Sequence, residues 1–187
     1  MRILVVNAGS SSLKLSILDE RERLVTSHEV KASETSRQED VLRELIESHG
    51  PIDAVGHRVV HGGSEFTEAV IVDDAVLRRL EALTDLAPLH QPESLEAFAL
   101  ASRLLPDVPA VACFDTAFHA RMPLAASTYA LPADWRQRWG LRRFGFHGLA
   151  HAYTSRRAAQ LMGTRAETGR VVTCHLGSGA SIAAVQR

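Results

Sequence analysis

The chain has 187 residues, 45% of them apolar and 23% charged, with a formal net charge of −1. That balance supports the core of one domain or slightly more and gives no electrostatic reason to bind nucleic acid or an anionic membrane. No apolar run approaches the length of a membrane span, and the first residues enter a strand-like run without a signal-peptide pattern, so a cytoplasmic location is expected. Cys113 and Cys174 are the only cysteines, each flanked by apolar residues, and are expected to be buried free thiols rather than a disulfide or a metal site.

In chain order, ILVVN and LKLSIL read as strands around the turn NAGSSS, with RLVTSHEV as a third strand. The segment RQEDVLRELIESHG places Val41, Leu42, Leu45 and Ile46 at helical spacing and ends on Gly50. IDAVGHRVV predicts a strand running into His61-Gly62-Gly63. After AVIV, Asp73-Asp74 can cap the helix AVLRRLEAL, and QPESLEAFALASRLL is a helix with Pro92 in its first turn. PAVACFD predicts a buried strand ending at Asp115-Thr116. The stretch from 116 to 148 is expected to be irregular, broken by Pro123 and Pro132, before the short helix HAYTSRRAAQLMG closed by Gly163. VVTCHLG and SIAAV then flank a second Gly/Ser turn. Strands ending in small or functional residues with helices between them predict an α/β fold whose strand carboxyl ends face one cleft.

The two Gly/Ser turns resemble each other. Setting Asn7-Ala8-Gly9-Ser10 against His175-Leu176-Gly177-Ser178 keeps the Gly-Ser pair in register, which suggests a hairpin used twice. Backbone amides in NAGSSSLK, with the hydroxyls of Ser10, Ser11 and Ser12, form a set of donors suited to phosphate oxygens, and Lys14 adds a point charge. A plain hairpin turn uses the same residues for conformational reasons. Lys14 and Lys31 are the only lysines in a chain that otherwise uses arginine, which points to a specific task for Lys14. The motif is neither a Walker loop nor a dinucleotide fingerprint, since Gly177-x-Gly179 lacks a third glycine. Ser11-Ser12-Leu13-Lys14 also fits the S-x-x-K of penicillin-recognising acyl enzymes, but an alternating strand would send Ser11 and Lys14 to opposite faces, and the partner motifs are missing. The pairs His57/His61 and His147/His151 have metal-ligand spacing, yet no nearby acidic residue completes either set.

The runs VGHRVVHGG (55 to 63), LAPLHQP (86 to 92), FDTAFH (114 to 119) and FGFHG (144 to 148), together with NAGSSSLK and HLGSGAS, resemble acetate kinases of the acetate and sugar kinase, Hsp70 and actin superfamily. Propionate and butyrate kinases share much of the pattern. The resemblance implies an actin-like ATPase (ribonuclease H-like) domain, a mixed sheet flanked by helices, over 1–170, with 171–187 the first hairpin of a second, nucleotide-side domain that is only begun. It further implies that acetate is phosphorylated by ATP, with magnesium, to acetyl phosphate and ADP, and that the full-length protein is a homodimer.

Residue by residue, the resemblance puts Asn7 near the magnesium and Lys14, Ser10 and Ser12 near the nucleotide phosphates. Arg58 is similar to the acetate-binding arginine, and Val60, Leu89 and Phe146 to the lining of the methyl pocket, with His90 a further pocket residue. Asp115 is similar to the catalytic aspartate and His147 to the transition-state histidine. His175, Leu176, Gly177, Ser178 and Gly179 are similar to the adenosine-side phosphate loop. The chain departs from the family at Ser178, where HLGNG is usual, and at Gln91, where LHNP is usual. Without the resemblance, a paired surface arginine is an alternative reading of Arg58, and the three apolar residues would ordinarily be read as core.

Acetate is already an anion at neutral pH, so its attack on a γ-phosphate needs no general base, and repulsion between negative groups is the barrier to lower. Asp115 is therefore expected to orient magnesium waters or Arg58 rather than to take a proton. The second hairpin is expected to leave bare strand edges, its last fifteen or so residues mobile, and the isolated chain to be inactive.

Overall fold

The computed structural model describes residues 1–9, 11–163, 169–177 and 179–186. A six-stranded mixed sheet runs in the order β3 (Leu24–Lys31), β2 (Ser12–Asp19), β1 (Arg2–Ala8), β4 (Ala54–Val59), β6 (Ala110–Phe114), β5 (Val70–Ile71). The first three strands form an antiparallel meander, while β1, β4 and β6 are parallel and joined through helices α1 (Thr35–His49), α2 (Asp74–Glu81) and α3 (Gln91–Leu104). This is the mixed α/β architecture expected from the sequence.

Strand alternation explains how the sheet is covered. Leu4, Val6 and Ala8 of β1 and Leu13, Leu15 and Ile17 of β2 point to one face, where they meet Leu42 and Leu45 of α1 and Ala97, Leu100 and Ala101 of α3. A second cluster joins Val59, Phe66, Leu80, Phe98 and Phe114. Asp73 caps α2 as expected, accepting 2.7 Å from the Val76 amide.

Three local expectations change. Helix α1 does stop before Gly50, but Gly50 is extended (φ −65°, ψ 170°) and not left-handed; Pro51 favours an extended residue before it. The stretch from 116 to 148 holds a short 3-10 turn at Thr116–His119 and two short helices, α4 (Leu124–Ser127) and α5 (Ala133–Trp139). Pro123 and Pro132 stand at the N-caps of the latter two, so they open helices where they were read as breakers. Cys174 is exposed and Cys113 half-buried, against the expected burial of both. Cys174 lies on the hairpin β7 (Arg170–Leu176) and β8 (Ala180–Gln186), which forms its own two-stranded sheet, and it pairs with Ile182 on the face carrying exposed Val172 and Leu176. The opposite face, with buried Thr173, lies toward α6 (Gly148–Leu161).

His57 sits on the α3 side of β4, stacked on Phe98 with ring centroids 3.9 Å apart, and its buried Nε2 has no partner among the described residues. Burial pushes its pKa down to about 4 from 6.5. The native state therefore resists a proton that the unfolded chain accepts: the stability this neutral ring contributes is complete above pH 6.5 and is lost as pH falls towards 4. Unfolding free energy should drop by about 3 kcal/mol across that window from this group alone. Urea titrations of the wild type and His57→Leu at several pH values check this; an equal slope in both would exclude His57 as the source.

Candidate active site

Parallel pairing of β1 and β4 sets Asn7 beside Arg58, and antiparallel pairing of β1 and β2 sets Asn7 beside Lys14. Lys14, Asn7 and Arg58 thus form one row across three neighbouring strands, on the face opposite the buried Val6 and His57. Asp115 follows β6 directly, and its amide donates to the Val59 carbonyl at 3.0 Å, extending the pairing of β4 and β6 by one bond.

The Asp115 side chain is 2% exposed. Arg58 donates to its Oδ2 from Nε at 3.0 Å and Nη2 at 2.6 Å, and the Leu149 amide donates to Oδ1 at 3.1 Å. Leu149 lies in the first turn of α6, where amides lack intrahelical partners and the dipole favours an anion. Arg58 also donates from Nη1 to Asn7 Oδ1 at 3.2 Å. Of a guanidinium's five N–H groups, the bonds to described residues leave two for an incoming anion. Arg58 is therefore no surface ion pair: it is held by a buried carboxylate from the neighbouring strand.

His147 enters α6 as its N-cap in the left-handed region, φ 54°. Its ring stacks on His175 of β7, centroids 4.1 Å apart, and its Nδ1 is 2.9 Å from Ser181 Oγ of β8. Burial and then the neighbouring His175 lower its pKa, with Arg58 adding to this and Asp115 opposing it. Gly179 lies against the ring: a β-carbon there would be 3.5 Å from His147 Cε1.

At the first turn, the Gly9 amide donates to Ser12 O at 3.0 Å, and the Ser12 hydroxyl donates to Glu29 at 2.6 Å. Lys14 is 3.6 Å from the same carboxylate. The Ser12 hydroxyl first, and the Lys14 charge to a lesser degree, hold the Glu29 pKa down. Lys14 is half exposed, so leaving Glu29 for a phosphate costs little. Ser10 and Ser178, the other two hydroxyls read as phosphate ligands, lie outside the described residues. A cavity of about 430 Å³ borders Gly9 and Ser12 but reaches towards Glu93 and Arg103 on α3, and Arg58, Asp115 and His147 do not line it.

Of the pocket residues, Val60 is buried, Phe146 is 46% exposed with its ring 5.8 Å from His61, and Leu89 is 76% exposed in the turn before α3. His90 is the N-cap of α3, its buried Nδ1 without a partner among the described residues. Gln91 is fully buried, its amide nitrogen donating to Leu80 O at 2.9 Å, which ties α3 to α2. Leu89 and His90 stand outside the hydrogen-bonded group of Asn7, Arg58 and Asp115.

Sequence reasoning missed Thr116, whose hydroxyl accepts from the Gly62 amide at 2.9 Å and anchors the HGG turn to the end of β6. It also gave no role to Ser181 and read His151 only as a metal-ligand spacing. His151 is buried and touches both hairpin strands, Thr173 at 2.7 Å and Ser181 at 2.8 Å. Its signal was the i, i+4 spacing from His147 at a helix start. No group of three metal-binding side chains occurs among the described residues.

Gly148 is required by close approach: a β-carbon there would lie 1.8 Å from the Asp115 carbonyl oxygen. Gly148→Ala must therefore move either α6 or the end of β6, and should cost about 3 kcal/mol or more. Gly56→Ala on β4, where a β-carbon meets nothing within 4 Å, should change stability by less than about 1 kcal/mol. Denaturant unfolding of the two variants, side by side, is the check.

A profile described as the acetokinase family matches residues 36–187. Curated acetate kinases of Halothermothrix orenii and Thermotoga maritima are each 40% identical over 218 aligned residues, covering 99% and 100% of this chain and 55% and 54% of theirs. Among solved structures, Porphyromonas gingivalis acetate kinase superposes with a TM-score of 0.86 at 34% identity, over 99% of this chain and 55% of that one. A Francisella tularensis propionate kinase gives 0.87 at 32% identity, over 98% and 54%. The chain spans about half the length of the curated relatives it matches.

Proposed function

The chain belongs to the acetokinase family, and from that premise we propose that it carries the carboxylate-binding side of a kinase that phosphorylates acetate reversibly with ATP. The observation that carries the reading is Arg58: a guanidinium fixed by a buried carboxylate, beside Asn7, with two N–H groups left over. A planar fork of this kind recognises a carboxylate through paired bonds.

In this reading an acetate oxygen attacks the γ-phosphorus, the bond to ADP breaks in line, and no proton moves. Arg58 orients the nucleophile, and Asp115 orients Arg58. Asp115 already accepts three bonds and is poorly placed to take a proton from anything. His147 meets the transferring phosphoryl group, and Lys14 and the turn His175 to Gly179 meet the other phosphates. Val60, Leu89 and Phe146 line the space for the methyl group.

The residues suit a magnesium ion brought in with the nucleotide. Asn7 Oδ1 accepts one bond from Arg58 and keeps a lone pair, and magnesium commonly takes one or two protein oxygens with waters and substrate phosphates. Asn7, with Asp115 through water, would hold it. When bound, the ion offsets charge on the phosphates.

Propionate is the second reading, favoured by the likeness to the Francisella propionate kinase. Hydroxamate-trapped acyl phosphate, from ATP with acetate, propionate or butyrate, decides between the substrates. The assay should be run on this chain alone and on this chain joined to the remaining half of the Thermotoga maritima acetate kinase. Absence of acyl phosphate from a folded, nucleotide-binding joined protein would reject the proposal.

In the joined protein, Arg58→Ala should weaken acetate use far more than ATP binding, because a lost charge-assisted pair costs roughly 1.5–3 kcal/mol and misplacement of the nucleophile adds to it. Unchanged acetate kinetics would remove Arg58 from the site. Val60→Ala should raise the propionate-to-acetate ratio, a methylene in an apolar pocket being worth about 1–3 kcal/mol. A ratio that does not move would leave Val60 as ordinary core.

A further inference from the structure

The described hydrogen bonds form a chain from His147 into the hairpin. His147 Nδ1 is 2.9 Å from Ser181 Oγ, Ser181 Oγ is 2.8 Å from His151 Nε2, and His151 Nδ1 is 2.7 Å from Thr173 Oγ1. Both hydroxyls sit on the hairpin, and both rings start on the first turn of α6. A hydroxyl has one proton to donate. Ser181 lies between two ring nitrogens: with both rings neutral they cannot both be bare, and if both carried a proton the Ser181 proton would have no acceptor in this chain of bonds, so full pairing needs one protonated and one bare. Thr173 imposes the same choice on His151 Nδ1. The tautomers of the two histidines are therefore locked together, and only two arrangements satisfy every member.

In one, Thr173 donates to His151 Nδ1, His151 Nε2 donates to Ser181, Ser181 donates to His147 Nδ1, and the His147 proton sits on Nε2. In the other every bond is reversed, His147 Nε2 is bare, and the Thr173 proton must go to the Ala183 carbonyl at 3.4 Å, near the limit of a hydrogen bond. The first arrangement uses only the three short contacts. We infer that Ser181 and His151, anchored by Thr173, are positioning residues that hold His147 as a neutral imidazole with its proton on Nε2, the nitrogen not engaged by the hairpin. This rests on the proposed phosphoryl transfer only for what that N–H would meet: an oxygen of the transferring group, to which it offers a hydrogen bond without a full charge.

The surroundings keep both rings neutral. Those facing the pair are His175 on β7, His119 of the 3-10 turn, Asp115 after β6 and Arg58 on β4. Burial, followed by neighbouring cationic groups, lowers both pKa values, and only Asp115 opposes. A neutral ring donates from one nitrogen only, so an enforced tautomer decides whether it can donate to an anion at all. The same hydrogen bonds also fix the ring plane that stacks on His175.

Long-range proton–nitrogen correlation spectra of this chain with labelled histidine, at neutral pH, read the tautomers directly and need no activity. His147 should show a pyridine-type Nδ1 and a pyrrole-type Nε2, and His151 the same. Ser181→Ala should move the His147 tautomer ratio by about fivefold, the worth of one net hydrogen bond, and Ser181→Thr should restore it. If Ser181→Ala does not fold, Thr173→Val must shift the His151 ratio instead. An imidazolium or a protonated Nδ1 at His147 in the wild type, or ratios untouched by the substitutions, would overturn the inference. A chain with the expected tautomers that makes no acyl phosphate when joined to the remaining half of the Thermotoga maritima kinase would instead count against the kinase reading alone.

Discussion

The buried carboxylate of Asp115 holds together elements that are far apart in sequence. A carboxylate this deeply buried is tolerable only when its charge is compensated and its lone pairs are occupied. Arg58 supplies the compensation from β4, and the first turn of α6 supplies an amide and a favourable dipole. The same residue's backbone extends the pairing of β4 and β6, and its carbonyl lies so close to Gly148 that no side chain fits there. Strand ends, arginine and helix start are thereby fixed against one another, and removing one partner would leave the other buried and uncompensated.

The two faces of β4 divide the work. His57 and Arg58 are adjacent in sequence and point in opposite directions. One ring lies on Phe98 with no partner for its Nε2 among the described residues, and it is held neutral by burial. The other side chain reaches Asn7 and Asp115. Alternation along a strand gives this separation with no extra machinery, and the parallel register of β1 and β4 then sets Asn7 beside Arg58 rather than one residue off.

The hairpin β7–β8 is asymmetric in a related way. Its covered face meets α6 through Thr173, Ser181 and His175, polar groups that orient the two histidines at the helix start. Its other face presents Val172, Cys174, Leu176 and Ile182 to solvent. An apolar sheet face explains why a cysteine with apolar neighbours in sequence is exposed: the neighbours that would bury it must come from across the face, not along the strand.

The sequence by itself determined the period of the six-stranded sheet's strands and of the longer helices, the cap at Asp73, Pro92 in the first turn of α3, the α/β class and, through six short motifs, the family and the candidate residues. Those features are local, or are carried by residue types with few alternative uses. What only the tertiary structure decided are relations across the sheet and between layers. Arg58 and Asp115 are 57 positions apart, and their meeting depends on the parallel register of β4 and β6. The left-handed N-cap at His147, the exclusion of any side chain at Gly148 and the Ser181 bridge between two histidines depend on where α6 lands. A one-dimensional pattern specifies which face of an element is buried, but not which polar groups on two buried faces come within hydrogen-bond distance, because that is set by strand register and helix placement together.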